Sequence, residues 1–484
     1  MPTVNIPITG GFYESNSLPV SAQECNNWYV NPVVTQGLAQ EVLFGTPGLT
    51  QLVTTGTDAE EFNRGSHVKN EIPYFVNGTT LYRLNRTLDS LNQEVFDIEA
   101  LGTVEGSRDV SMSDNGNQLV ILNPGGAAYI FDEDAGTPFQ TITDADFRAN
   151  GNPQYVVFLD GYFIFSTDEK KFIISALNDG LSYNALDFGT AEADPDQITR
   201  PVVLQNQLFI IGSLTTEVFR NIGGSGFPFQ RVQGYIFDKG SVAPASVTNS
   251  DNSFFMLGGG VNEASTVWLF SGNGYQKITT PAIDALINAA TYSELARSFS
   301  WSYSEGGSTF LAINIGQVTL VYDLVSRKWH QRSSVIDEET FRFRGNSLVT
   351  AYGRVLMGDS QDGRIGVLDR GTYDEYGESI RRVASSPTFS VGLANTKVAM
   401  VEATVESGVG NAASTDPKMS MDYSDDGGKT FVYPRARSMG KIGEYKRRVV
   451  WRRNGAFPRF RILRFTMSDA VKPVLISVSA QVSV

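Results

Sequence analysis

The sequence predicts an all-β protein, a β-propeller of six or seven blades over residues 51–370 followed by a small C-terminal antiparallel β-sandwich over residues 387–484. Three observations carry that expectation. The 47 glycines and 19 prolines among 484 residues are spread along the chain, as many short strands and turns require. Capped runs of 3.6-residue period are short, the longest being residues 280–295 (TPAIDALINAATYSEL), where Pro281 suits a first helical turn. Apolar strand pairs recur at a nearly constant interval.

The elements follow in chain order. Residues 1–50 lack clear alternation and read as an extended N-terminal segment associated with the propeller or a neighbouring subunit. Within it Asn27-Trp28-Tyr29-Val30-Asn31-Pro32 and Phe44-Gly45-Thr46-Pro47-Gly48-Leu49 each end in a Pro-containing turn. Strand pairs then begin near Tyr74, Gln118, Tyr162, Leu208, Phe254, Thr309 and Tyr352, at intervals of 44, 44, 46, 46, 55 and 43 residues. A propeller blade, whose sheet buries its faces only against its neighbours, has this period. A pair of β-sandwiches is the competing architecture. Residues 371–386 are charged and rich in Gly, Tyr and Glu, which marks a linker or interface strand. Beyond them, longer alternating strands begin at Lys397, Lys418 and Pro473.

The least ordinary stretch is residues 446–466, KRRVVWRRNGAFPRFRILRFT. Its alternation predicts a basic hairpin, with Asn454-Gly455-Ala456-Phe457-Pro458 as the turn and the arginines on one face. Residues 435–464 hold 11 Lys or Arg against one acid, Glu444, whereas the whole chain has a net charge of -13, so the remainder stands at -23. An acidic body disfavours a protein that grips phosphates over most of its surface. The residues read as a partner interface are Arg447, Arg448, Trp451, Arg452, Arg453, Arg459, Arg461 and Arg464, with a solvated basic face as the plain alternative.

Little else carries chemistry. The two histidines, His67 and His330, and the single cysteine, Cys25, rule out a disulfide framework and most catalytic or metal constellations. His330, beside Trp329 at a strand end, reads as packed. The acidic pairs Asp144/Asp146, Asp194/Asp196, Asp359/Asp362 and Asp425/Asp426 lack the ligand density of a calcium loop. Ser424-Asp425-Asp426-Gly427-Gly428-Lys429-Thr430-Phe431 resembles the Asp-box of sialidase-type propellers, and a degenerate copy at residues 303–310 has Glu305 in the Asp position. That motif is structural in its home family, yet it keeps a polysaccharide-cleaving propeller glycosidase among the alternatives. Aromatic residues interleaved with arginines keep a DNA-binding protein among them. No catalytic residue, cofactor or metal is expected, and no 18-residue apolar run predicts a membrane span.

The phrases Asn27-Trp28-Tyr29, Gly45-Thr46-Pro47-Gly48-Leu49, Val321-Tyr322-Asp323 with Trp329, Tyr423-Ser424-Asp425-Asp426-Gly427, and the run from Arg447 to Gly455 occur in an order that resembles the packaged-DNA stabilisation proteins of short-tailed bacteriophages. These are also called tail hub, nozzle or tail accessory factors. The resemblance implies a non-enzymatic virion protein, made in the host cytoplasm and lodged in the tail. It would form a homo-oligomeric ring, a hexamer, below the portal and its adaptor. Such a ring closes the DNA exit channel, holds a tail needle or plug, and offers surfaces to fibres or spikes, while duplex DNA passes through without sequence-specific binding. The long interval between Phe254 and Thr309 departs from the pattern and leaves room for an insertion.

Overall fold

The computed structural model describes residues 2–35, 37–191, 196–224, 226–272, 274–390 and 395–483; Asp194 lies outside them. Four-stranded antiparallel units succeed one another around a central channel. Blade 1 comprises Asn63–Lys69, Ile72–Asn77, Thr80–Leu88 and Glu94–Thr103, and the meander repeats through residues 111–141, 153–190, 198–237, 240–277 and 299–336. A seventh unit has three strands in succession, Gly345–Ala351, Arg354–Asp359 and Arg364–Asp369, and takes its outer strand, Gly48–Thr54, from the beginning of the chain. The first blade-forming strand of the sequence thus closes the last blade.

Local chemistry explains the regularity. Inner and second strands are joined by two-residue turns in which both residues have positive φ: Asn70-Glu71, Asp160-Gly161, Gln205-Asn206 and Tyr352-Gly353. That backbone matches the right-handed twist of the flanking strands, so each meander stays tight. Apolar residues of successive blades then close on one another. Tyr74 and Val76 meet Leu119 and Ile121; Val120 and Ile130 meet Phe163 and Phe165; Phe75 and Leu84 meet Leu356 and Ile365. Each such fully buried side chain contributes about 1.5–3 kcal/mol relative to exposure. The predicted helical run becomes two short helices, Pro281–Ala289 and Tyr292–Ala296, capped by Thr280 and Thr291, and these fill the longest repeat interval.

The sandwich draws on both ends of the chain. One sheet orders Val449–Arg452, Thr396–Val405, Val474–Ser483, Glu41–Gly45 and Trp28–Pro32, with Thr3–Ile6 and Ala456–Phe457 as further partners. Three strands of the first fifty residues are therefore sandwich strands. The other sheet is continuous with blade 6: the outer strand Lys328–Ile336 pairs with Cys25–Asn26, followed by Arg382–Ser385, Ile462–Met467, Lys418–Ser424 and Val432–Ser438. Residues 371–386 hold a short hairpin, Asp374–Glu375 with Glu378–Ser379, laid along Leu49, and the bridging strand Arg382–Ser385.

Two of the phrases that carry the family resemblance, Asn27-Trp28-Tyr29 and Gly45-Thr46-Pro47-Gly48-Leu49, meet at this joint. Asn27, at φ 58°, donates through Nδ2 to the carbonyls of Ser333 and Arg381, each at 2.9 Å, and accepts from Ser333 N. Tyr29 packs edge-on against Phe310. A Cβ on Gly45 would lie 2.1 Å from Pro473 Cγ, and one on Gly48 2.2 Å from the Asp374 carbonyl oxygen, so only glycine fits at either position. Arg332 donates to the Pro47 carbonyl at 2.9 Å.

Candidate interaction surface

Residues 446–466 do not form a hairpin. Val449–Arg452 pairs with Thr396–Val405 in one sheet, and Ile462–Met467 pairs with Arg382–Ser385 and Lys418–Ser424 in the other. The segment between them crosses the sandwich. Asn454 is buried and donates to the Trp451 carbonyl, so the Asn-Gly pair that suggested a hairpin turn instead launches a crossover. Both flanking strands find apolar partners on opposite layers, and pairing with each other would leave those layers open.

The expected single arginine face divides accordingly. Arg461 is 1% exposed and holds Asp425 in a fork, Nε to Oδ1 at 2.6 Å and Nη2 to Oδ2 at 2.7 Å, while it also donates to the Asn454 carbonyl and covers the Tyr423 ring. Arg464 forks onto Asp422 at 3.1 and 2.7 Å and lies 3.7 Å from the Phe431 ring centroid. Trp451 is fully buried, its indole N–H donating to the Arg435 carbonyl and its ring edge-on to Phe465. Of the expected interface, Arg461 and Trp451 are therefore internal, and Arg464 is half-buried and held by its carboxylate. A buried guanidinium needs its carboxylate and carbonyl partners, which explains why a basic residue occupies a core position.

Arg447, Arg452, Arg453 and Arg459 are exposed, and among the described residues none of them forms a salt bridge. Arg448 is exposed and paired with Glu402, whose carboxyl is held below its ordinary range by that bond. Two arginines outside the expected set complete the surface. Arg435 Nη1 donates to the Arg452 carbonyl at 2.9 Å and also engages the Asn454 side chain, and Arg437 Nε donates to the Val450 carbonyl at 3.2 Å. They stitch Val432–Ser438 to Val449–Arg452, the outer strands of the two sheets, along one flank of the sandwich. Pro434 interrupts the exposed edge of the first strand.

Sequence reasoning missed the apolar half of this flank. Tyr433, Ile442 and Tyr445 are 68%, 75% and 75% exposed. The loop that carries the latter two is tied down: Gly408 N donates to the Met439 carbonyl, Gly443 N to the Gly408 carbonyl, and Ser407 Oγ to the Tyr445 carbonyl. Gly440 and Gly443, at φ 100° and 85°, shape it. The readable signal was the pair of glycines bracketing Ile442 between two strands.

The Asp-box resemblance marks a turn between Lys418–Ser424 and Val432–Ser438. Asp426 accepts from the Thr430 hydroxyl at 2.6 Å and from the backbone N–H groups of Lys429 and Thr430, which hold its carboxyl well below the usual range. In the degenerate copy, burial pushes Glu305 up to about 7. His330 packs between Tyr29 and Phe310, and burial pushes it down to about 3; burial pushes the Cys25 thiol up to about 12. His67 meets Asp114 at 2.7 Å on the wall of the propeller's central channel, a cavity of about 530 Å³ lined by the inner strands, with Tyr155, Arg200 and Asn346 among its residues.

Comparison with known proteins agrees with this architecture. Residues 4–373 match the family model described as bacteriophage P22 Gp10, beta-propeller, and residues 386–483 match that described as bacteriophage P22 Gp10, beta-sandwich. A curated relative, the tail hub protein gp10 of Salmonella phage P22, is 23% identical over 373 residues, 74% of this chain and 77% of the relative. Among solved structures, the WD40 propeller domain of Doa1 aligns with a TM-score of 0.41 at 12% identity, covering 67% of this chain and 97% of that one. BamB from Moraxella catarrhalis aligns at 0.35 and 11% identity over 76% and 97%. With both of its parts matched in order, the chain belongs to the bacteriophage P22 Gp10 family.

Proposed function

We propose that this chain is the tail hub of a short-tailed phage, a non-enzymatic virion protein that forms a ring, a hexamer, beneath the portal and adaptor. In this reading the ring joins the adaptor to the tail tip, closes the DNA exit channel after packaging, holds a needle or plug, carries fibres or spikes, and becomes the conduit at ejection. The observation that carries it is the match of both parts to one family with a tail hub protein as relative.

Physical features support the same reading. The propeller's own channel, at about 530 Å³, has the volume of a small-molecule cavity, so a duplex would run between copies and not through one. A body at -23 outside the basic stretch repels phosphates and lets DNA slide without sticking. Arg447, Arg452, Arg453 and Arg459 remain available to acidic protein surfaces, where forked guanidinium geometry gives register. Negative-stain imaging of the protein mixed with its portal and adaptor tests the proposal. A ring added below the adaptor is the expected result, and particles that lack it would overturn the reading.

A further inference from the structure

The stitched flank of the sandwich is basic and apolar at once, and one other region has the opposite charge with the same apolar character. The Thr80–Leu88 and Glu94–Thr103 hairpin of blade 1 projects Leu88, Leu91 and Val95, which are 61%, 75% and 43% exposed. Asp89 and Asp97 stand at that tip with no salt-bridge partner among the described residues, whereas Glu94 is paired with Arg86 and Arg354, and Glu99 with Arg83. Asp89 fixes the turn by accepting from Leu91 N and Gln93 N at 2.8 Å each, so the tip is a shaped projection and not a loose loop. Arg83 links Glu99 to Glu133 of blade 2, which extends the acidic edge.

We infer that the basic flank receives the acidic, apolar hairpin tip of blade 1 from a second copy of this chain. The inference rests on the ring reading above and names the surfaces that would meet in it. The flank is the far edge of the ten-stranded sheet, five strand steps beyond the outer strand of blade 6, or about 24 Å at the usual strand spacing. That distance carries Tyr433, Ile442 and Tyr445 away from their own propeller and toward a neighbour. Flank and tip are different patches, so the contact is heterologous, the kind that builds rings. Desolvated Tyr and Ile side chains supply the affinity, while Lys446, Arg447, Arg452 and Arg453 facing Asp89 and Asp97 set register and approach.

Two variants of the full chain test this by sedimentation velocity, alone, mixed, and with the portal and adaptor. Lys446→Glu, Arg447→Glu, Arg452→Glu and Arg453→Glu together make the facing charges of the flank acidic; Leu91→Lys with Asp97→Lys makes the tip basic. All six positions are exposed, and an unchanged melting temperature verifies folding. Each variant alone is expected to lose the wild-type oligomer, because like charges then meet. An equimolar mixture is expected to restore it, since an acidic flank then finds a basic tip and a basic flank finds an acidic one. Wild-type assembly in either variant alone, or no recovery in the mixture, would overturn the contact. Duplex DNA binding by wild type that the flank variant abolishes, with self-association intact, would assign the flank to nucleic acid and likewise overturn it. A wild-type chain that stays monomeric even with portal and adaptor would instead overturn the ring reading itself.

Discussion

The propeller and the sandwich obey different logics. In blades 1 to 6 the successive strands of a meander are neighbours in sequence, and adjacent blades seal through apolar pairs close in sequence, such as Val120 with Phe163, except where the ring closes on itself and Phe75 meets Leu356. In the sandwich, Val474–Ser483 pairs with both Thr3–Ile6 and Glu41–Gly45, and Cys25–Asn26 sits between blade 6 and Arg382–Ser385. The lesson is that the N-terminal fifty residues belong to both units, closing one and completing the other. Buried polar contacts around Asn27 and Arg332 tie the two together, and we expect them to unfold as one cooperative body.

The largest effect should come from cutting that tie. Removing residues 2–54 deletes the closing strand of blade 7 and three sandwich strands, and we expect the remainder to lack a cooperative thermal transition in calorimetry; an intact, sharp transition would show that the units fold separately. Trp451→Ala comes next, with a loss of about 3–5 kcal/mol in chemical denaturation for a fully buried indole. Asp425→Ala should cost about 3 kcal/mol, since it leaves the Arg461 guanidinium buried without its carboxylate. A cost below about 0.5 kcal/mol would return Arg461 to the surface set.

A titration sharpens the comparison on the propeller side. Burial raises Glu305 to about 7 in the folded protein from an ordinary 4.5. The folded state therefore binds this proton more tightly than the unfolded chain does, and the stability it contributes is full below 4.5 and lost as the pH rises toward 7. Glu305→Gln should flatten the pH dependence of the melting temperature across that window. An unchanged profile would show that the carboxyl does not titrate there. The smallest stability effect is expected for Arg452→Glu with Arg453→Glu, within about 0.5 kcal/mol by denaturation, together with weakened assembly in sedimentation.

The propeller was legible because its signal is repetition. Turn pairs such as Asp160-Gly161 and apolar runs such as residues 162–167 recur at one interval, and the one long interval leaves room for an insertion, which two short helices fill. The strands at Lys397, Lys418 and Pro473 were legible by alternation. Their partners were not, because alternation reports burial of a face and is silent on which distant strand covers it: Trp28–Pro32 reads as an extended phrase whichever sheet it joins. The arginines misled for a related reason. Charge predicts exposure only on average, and Arg461 is buried because Asp425, 36 residues earlier, and the carbonyl of Asn454 are brought to it by the crossover. Exposed Ile442 and Tyr445 went unnoticed because apolar residues in a short loop look like core until the loop is seen at the surface.

A subnanometre reconstruction of the assembled tail tests the central claim most directly. A ring of this chain below the adaptor, with Tyr433, Ile442, Arg452 and Arg453 covered and Arg461 inside each sandwich, is the predicted result. A tail in which this flank faces open solvent in every copy would contradict it.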